Sequence, residues 1–91
     1  MNFIGYNIPV HTQRIILDYV EHRCHPGGFI EAVLSNDLFG AVARADKDNL
    51  AALPEIVKFI YNQTPSNCWG SKDIVWQYLE SKFYEALGEQ Q

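Results

Sequence analysis

The chain has 91 residues, of which 47% are hydrophobic and 20% charged, and this composition is typical of one globular domain spanning residues 1–91. Its formal net charge of −4 at pH 7 is the reverse of what binding to duplex nucleic acid requires, and no apolar run reaches the roughly 18–20 residues that cross a bilayer. Because the sequence starts without a signal-peptide pattern and has two cysteines, we expect a cytoplasmic protein with free thiols.

The first half of the chain predicts a short extended N-terminal arm, residues 1–8, followed by two helices. Pro9 suits the first position of a helix over "PVHTQRIILDYVEHR". The motif "CHPGG" ends this helix, because Pro26 disfavours helical backbone at the preceding residue and two glycines follow. The next helix, over residues 28–46, is expected in two pieces, because the Ser, Asn and Asp at positions 35–37 prefer caps to helix interiors.

The second half predicts two further helices separated by a loop. Asp46 is expected to cap a helix that continues through "NLAALPEIVKFIYNQ", with a bend at Pro54. The stretch "NQTPSNCWGS" is a loop, and its last residue, Ser71, caps the helix "KDIVWQYLESKFYEALG", with Gly88 as terminator and "EQQ" as a frayed tail. The predicted fold is therefore all-α, a small bundle of four main helices, one or two of them kinked or broken.

Three segments, "IPVHTQR", "GGFIEAVLSNDLFGAVARAD" and "FIYNQTPSNCWGS", resemble a family of short proteins encoded by tailed bacteriophages and prophages. The resemblance covers roughly residues 8 to 80, and the family has no assigned activity that would transfer residue roles to this chain. It implies an accessory protein that acts in the cytoplasm of an infected bacterial host. Small acidic phage proteins of this kind often antagonise host machinery or host defence, which is an association and not a mechanism.

The motif "EHRCHPGGF", residues 21–29, raises the question of a metal or catalytic site. His22, Cys24 and His25, together with Cys68, supply nitrogen and sulfur ligands, but the spacing is not that of a structural zinc site. The competing interpretation is that the histidines lie at a helix C-terminus, where they complement the helix dipole. Cys24 has no accompanying oxyanion-hole motif. We predict no catalytic residue, no metal ligand, no cofactor and no enzymatic activity.

An anion-binding site is the hypothesis that the residues favour most. "HPGGF" and "CWGSK" each place a glycine where a helix begins, so free backbone N–H groups can face an anion, and the second motif adds an aromatic ring and a lysine. Ordinary turns and a core tryptophan are the alternative. The hypothesis is that the chain is a sponge, a protein that binds and sequesters a cyclic or ADP-ribose-type nucleotide. It predicts that a cation and an aromatic ring lie in one cavity. Its ligand-binding residues would be Arg14, Arg23, His25, Gly27, Gly28, Trp69, Gly70, Ser71 and Lys72.

A partner surface is the second hypothesis, because the 13% aromatic content is high for so small a domain. Exposed aromatic side chains would then build a homo-oligomer or hold a host protein, for example as a protein–protein inhibitor whose acidic surface blocks a basic groove. Filling the core is the competing role for most of them. The candidates are Phe3, Tyr6, Tyr61, Trp69, Trp76, Phe83 and Tyr84.

Overall fold

The computed structural model describes the backbone of residues 1–89 and the side chains of residues 1–82. This part of the chain is all-α, as predicted, and contains no strand. It has five α-helices where the sequence predicts four main ones, because the helix expected in two pieces forms two separate helices. The helices are α1 (Val10–His22), α2 (Gly27–Leu34), α3 (Leu38–Arg44), α4 (Lys47–Gln63) and α5 (Lys72–Glu89), with a 3₁₀ turn at Ser66–Cys68.

The break between α2 and α3 follows from the local chemistry of three polar residues. Ser35 ends α2, and Asn36 has a φ of 61°, a left-handed conformation that asparagine tolerates better than most residues. Asp37 then caps α3, because its Oδ1 accepts a hydrogen bond of 3.0 Å from the backbone N–H of Gly40. The predicted break at this position is therefore confirmed.

The other helix ends are also set by short-range hydrogen bonds. Asp46 accepts from the N–H of Asn49 at 2.8 Å, and Ser71 accepts from the N–H of Ile74 at 3.2 Å, so both predicted caps are confirmed. Helix α1 ends before "CHPGG", at the left-handed residue Arg23.

Two of the three predictions made for proline and glycine positions, those for Pro9 and Gly88, differ from the structure. Pro9 precedes α1 and is not its first residue. Pro54 lies inside α4, which runs from Lys47 to Gln63 as one helix, and the bend at Pro54 stays a prediction. Helix α5 continues past Gly88 to Glu89, so Gly88 does not end it. The side chains of Phe83 and Tyr84, both predicted for a partner surface, and the last two residues lie outside the described part of the chain.

The N-terminal segment, residues 1–9, is not the extended arm that the sequence predicts. A turn at Ile4–Gly5 reverses it, with Gly5 at a φ of 91°. The reversal lets the Phe3 ring stack on Phe59 of α4 at 4.0 Å between centroids, while the Tyr6 ring meets the same phenylalanine edge-on at 5.3 Å. The segment therefore folds back on α4 because its aromatic side chains gain a buried partner there.

The core lies between α1, α2, α4 and α5 and includes two tyrosines whose hydroxyls tie the helices together. Tyr19 is fully buried, and its hydroxyl donates a 2.7 Å hydrogen bond to the carbonyl of Cys68. The hydroxyl of Tyr78 donates to the carbonyl of Val20. Burial raises the pKa of the Tyr19 hydroxyl above its ordinary value, so this donor also persists in alkaline solution where an exposed tyrosine would ionise. The buried core comprises Ile8, Ile16, Tyr19, Ile30, Leu34, Ala52, Ile56, Phe59, Ile60, Cys68, Val75 and Tyr78.

Replacing Tyr19 with phenylalanine is expected to lower the free energy of unfolding by about 1–3 kcal/mol, because the Cys68 carbonyl loses its donor inside the core. Urea denaturation followed by circular dichroism measures the change. Tyr61→Phe is the matched control, because Tyr61 is exposed, and we expect a change within about 0.5 kcal/mol there. Equal changes in the two variants would contradict the role assigned to the Tyr19 hydroxyl.

No helix in the described part of the chain is both long and apolar enough to span a membrane.

Candidate functional site

The larger of two adjoining cavities is a cleft of about 420 Å³ with mainly apolar walls, called the apolar cleft below. Its aromatic wall consists of Tyr61 from α4 and Trp69 from the loop before α5, whose ring centroids are 5.6 Å apart at an interplanar angle of 48°. The backbone N–H of Gly70 donates to the carbonyl of Leu34 at 2.7 Å, which fixes this loop against the end of α2. The lining residues are Val33, Leu34, Asn36, Asp37, Leu38, Ala41, Leu53, Val57, Ile60, Tyr61, Trp69 and Gly70.

The second cavity, called the polar pocket, has a volume of about 340 Å³ and lies along one face of α2. Two cations, Arg44 from the end of α3 and Lys72 from the start of α5, line it together with two carboxylates. Gly28 lets Arg44 approach α2 closely, because a Cβ at position 28 would lie 3.1 Å from the Arg44 Cδ. The lining residues are Gly28, Glu31, Ala32, Ser35, Asp37, Arg44 and Lys72.

Asp37 lines both cavities, so the cleft with the aromatic wall and the pocket with the two cations share one wall residue. Gly40 is what allows Asp37 and Arg44 to come together. A Cβ at position 40 would lie 2.1 Å from Asp37 Oδ2 and 2.8 Å from Arg44 Nη1, distances that real atoms do not tolerate. The two cavities therefore form a site with an apolar aromatic part and a polar part carrying charges of both signs.

Two buried polar groups at this site have no hydrogen-bond partner among the described residues. One is the hydroxyl of Ser35, which lines the polar pocket, and the other is the indole N–H of Trp69, which lines the apolar cleft. A buried donor without a partner costs about 1–3 kcal/mol. No described side chain supplies that partner for either group.

Four of the nine predicted ligand-binding residues line these cavities. Trp69 and Gly70 line the apolar cleft, whereas Gly28 and Lys72 line the polar pocket. Ser71 lies between Gly70 and Lys72 in sequence, and its hydroxyl is engaged as the cap of α5.

The glycine-rich turn before α2 does not present the free N–H groups that the anion hypothesis expects at its first position. Gly27 begins α2 with a φ of 81°, and its N–H donates to Nδ1 of His25 at 3.1 Å. Nε2 of His25 lies 3.2 Å from Oε2 of Glu31. The imidazole thus already satisfies the opening N–H of the helix, and neither His25 nor Gly27 lines the two cavities.

The two predicted arginines also lie outside both cavities. Arg14 is exposed on α1, where its Nε is 3.9 Å from Oδ2 of Asp18. The Nε of Arg23 donates to the Ser81 hydroxyl at 2.6 Å, and its guanidinium lies 5.0 Å from the Tyr78 ring centroid. This second arginine therefore joins the end of α1 to α5.

The expected combination of a cation and an aromatic ring in one cavity is divided between two cavities. Among the described residues, the lining of the apolar cleft includes no lysine, arginine or histidine, and that of the polar pocket includes no aromatic ring. Sequence reasoning missed Arg44, which lies at the end of a helix without a local motif. It named Tyr61 only as part of a partner surface.

The cysteines and histidines of the described residues do not form a metal site, because no group of three or more His, Cys, Asp or Glu side chains comes together there. Cys24 is exposed and Cys68 is buried. Burial raises the pKa of the Cys68 thiol, whose Sγ donates to the carbonyl of Pro65 at 3.0 Å.

Iodoacetamide at about pH 8 is expected to alkylate one thiol per folded chain rapidly, because the thiolate is the reactive form and the pKa of Cys68 is raised. Mass spectrometry follows the reaction. In Cys24→Ser the rapid phase should disappear, and in denaturant both thiols of the parent chain should react. Rapid labelling of Cys68 in the folded chain would contradict its burial.

The apolar cleft and the polar pocket are therefore the features of the described residues on which a functional proposal can be based. No protein-family model, curated protein or solved structure matches the chain.

Proposed function

We propose that the chain is a non-enzymatic binding protein that sequesters a nucleotide-type ligand. The base would lie against Tyr61 and Trp69 in the apolar cleft, and the phosphate would lie in the polar pocket near Arg44 and Lys72. The observation that carries the proposal is that both cavities are lined by Asp37, so a cavity with an aromatic wall adjoins a cavity with a pair of cations. Base stacking on an aromatic side chain contributes about 1–3 kcal/mol per base, and charge-assisted hydrogen bonds hold phosphate oxygens.

The charges in the polar pocket narrow the class of nucleotide. Glu31 and Asp37 stand beside the two cations, so the formal charge of the four side chains sums to zero. A triphosphate would bring several negative charges next to these carboxylates, whereas a phosphodiester brings one per phosphate. The ligand is therefore a cyclic mono- or dinucleotide in preference to a nucleoside triphosphate, with an ADP-ribose-type compound as the next choice.

The resemblance to phage accessory proteins supplies a setting for this activity. A sponge that removes a nucleotide signal in the cytoplasm of an infected bacterium would suppress the host defence that depends on that signal. This setting is part of the proposal and rests on the resemblance of the three sequence segments, not on the cavities.

A thermal-shift panel of cyclic mononucleotides, cyclic dinucleotides and ADP-ribose-type compounds tests the proposal. We expect at least one compound to raise the melting temperature, because a ligand that binds only the folded state stabilises it. Gly28→Glu should remove the shift, because the new carboxylate would occupy the pocket beside Arg44. Ala51→Glu adds the same charge to an exposed site outside both cavities and should retain it. No shift with any compound, or equal shifts in both variants, would refute the proposal.

A second candidate function, inhibition of a host protein, is favoured by one specific observation. Several large apolar side chains of α3 and α4 are exposed, and the chain carries a net charge of −4 that suits a basic groove. Affinity capture from bacterial lysate tests it. A stoichiometric host protein that is lost in Phe39→Glu would support inhibition, and a clean preparation without a partner would count against it.

A further inference from the structure

Both α3 and α4 contribute to the walls of the apolar cleft, and the apolar side chains that these two helices expose are together called the α3–α4 face below. Leu50, Val57 and Tyr61 are seven and then four residues apart, so they lie along one side of α4, the side that also lines the apolar cleft. Leu38 and Val42 are one helical turn apart on α3, and Phe39 lies beside them. The exposed fractions reach 64% for Leu38, 69% for Tyr61 and 89% for Phe39. Leu38, Val57 and Tyr61 border the same cleft, and exposed apolar surface of this extent is typical of an interaction site.

The area of the α3–α4 face is sufficient for a dimer. At their exposed fractions, the six side chains present on the order of 600 Å² to solvent, taking roughly 100–250 Å² for a fully exposed apolar or aromatic side chain. Two copies placed face to face would bury at most on the order of 1,200 Å² from these side chains, if all of this surface were covered. Specific interfaces bury about 1,200–2,000 Å² in total, so this face reaches that range before polar atoms at its edge are included.

We propose that a second copy of the chain covers the α3–α4 face through a two-fold axis. A two-fold interface uses the same patch on both subunits, so the patch must be complementary to itself. This face meets that condition, because it combines a projecting aromatic side chain, Phe39, with an open apolar cleft next to it. The charge of the chain does not oppose the contact strongly, since Asp37 is the one acidic or basic residue among the described residues that line the cleft.

The dimer would also complete the proposed ligand site. The apolar cleft is open on the side of Leu38, Val57 and Tyr61, all of them exposed. Phe39 of the second copy would close this side and exclude water from a base that stacks on Trp69. This closing role rests on the proposed function, whereas the dimer itself does not depend on it.

Sedimentation equilibrium of the full chain and of single variants tests the dimer. The parent chain should have twice the chain mass of 10.4 kDa. Phe39→Glu should have the mass of one chain, because the interface would then bury a carboxylate without a partner. Trp76→Glu makes the same change at an exposed aromatic residue of α5 outside the face and should remain a dimer. Val57→Glu is a second interface variant, and circular dichroism confirms that each variant is folded.

A parent chain that stays monomeric overturns the proposal, and so does a dimer that survives both Phe39→Glu and Val57→Glu. A monomer that binds a host protein through this face also overturns it and assigns the face to that protein. Thermal shifts on the same samples separate this proposal from the preceding one. A dimer whose melting temperature no nucleotide raises supports the interface and refutes the proposed nucleotide sequestration. A monomeric parent chain whose melting temperature a nucleotide does raise refutes the dimer alone.

Discussion

Replacing Phe59 with alanine is expected to lower the free energy of unfolding by about 3–5 kcal/mol, the largest effect of any single change considered for this chain. Phe59 is fully buried in α4, and both aromatic residues of the N-terminal segment pack on it. The substitution removes the buried ring and also the surface against which Phe3 stacks and Tyr6 makes its edge contact. Urea denaturation of folded samples measures the loss.

The control for this prediction lies in the same N-terminal segment. Ile4 is 86% exposed, so Ile4→Ala truncates an apolar side chain that packs on nothing and should change the free energy of unfolding by less than about 0.5 kcal/mol. In Phe59→Ala, limited proteolysis should also cut within residues 1–9 faster than in the parent chain, because the segment loses its packing. A loss below about 1 kcal/mol, or unchanged proteolysis, would contradict the packing of the segment on α4.

Replacing Arg44 with glutamine is expected to weaken binding of the best nucleotide by roughly 10–100-fold. Hydrogen bonds to a charged group contribute about 1.5–3 kcal/mol, and each 1.4 kcal/mol changes a dissociation constant tenfold. Isothermal titration calorimetry measures the change. The fold should be retained, because the one hydrogen bond from the Arg44 side chain to its own helix is a long contact of 3.3 Å to the Gly40 carbonyl.

Arg14→Gln is the matched control for this second prediction. Arg14 was a candidate ligand-binding residue on sequence grounds, but it lies on α1 beside Asp18 and outside both cavities. Its substitution should leave nucleotide affinity within about twofold, because a solvent-exposed charge at a distance is screened by salt. An equal loss in the two variants would show that general electrostatic attraction, and not the polar pocket, holds the ligand.

The elements of the fold that the sequence predicted correctly depend on short-range chemistry. The caps at Asp46 and Ser71 and the break at residues 35–37 are each made by a side chain that bonds to backbone within about three residues, so their signals are local. The N-terminal segment was wrongly predicted as extended, because its reversal depends on Phe59, which is more than fifty residues away in sequence. No local sequence pattern indicates a contact between residues so far apart in the chain.

The site shows the same division between local and long-range information. Trp69 and Lys72 of the motif "CWGSK", which the sequence predicts to bind a ligand, each line a cavity, and their ligand-binding role stays a prediction. Arg44 reaches the polar pocket only because α3 packs on α2 and both Gly28 and Gly40 leave room for its side chain. Arg14 and Arg23 lie outside both cavities, because Arg14 is exposed on α1 and Arg23 packs on Tyr78.

The most direct test of the proposed ligand site uses the two tryptophans as reporters inside and outside it. Trp69 lines the apolar cleft, whereas Trp76 is 59% exposed on α5 and lines neither cavity. In ¹⁵N NMR spectra of the labelled chain, titration with the cyclic nucleotide that gives the largest thermal shift should move the indole N–H signal of Trp69 and leave that of Trp76 in place. A Trp69 signal that stays unchanged at saturating nucleotide, or one that moves no further than that of Trp76, would contradict the site.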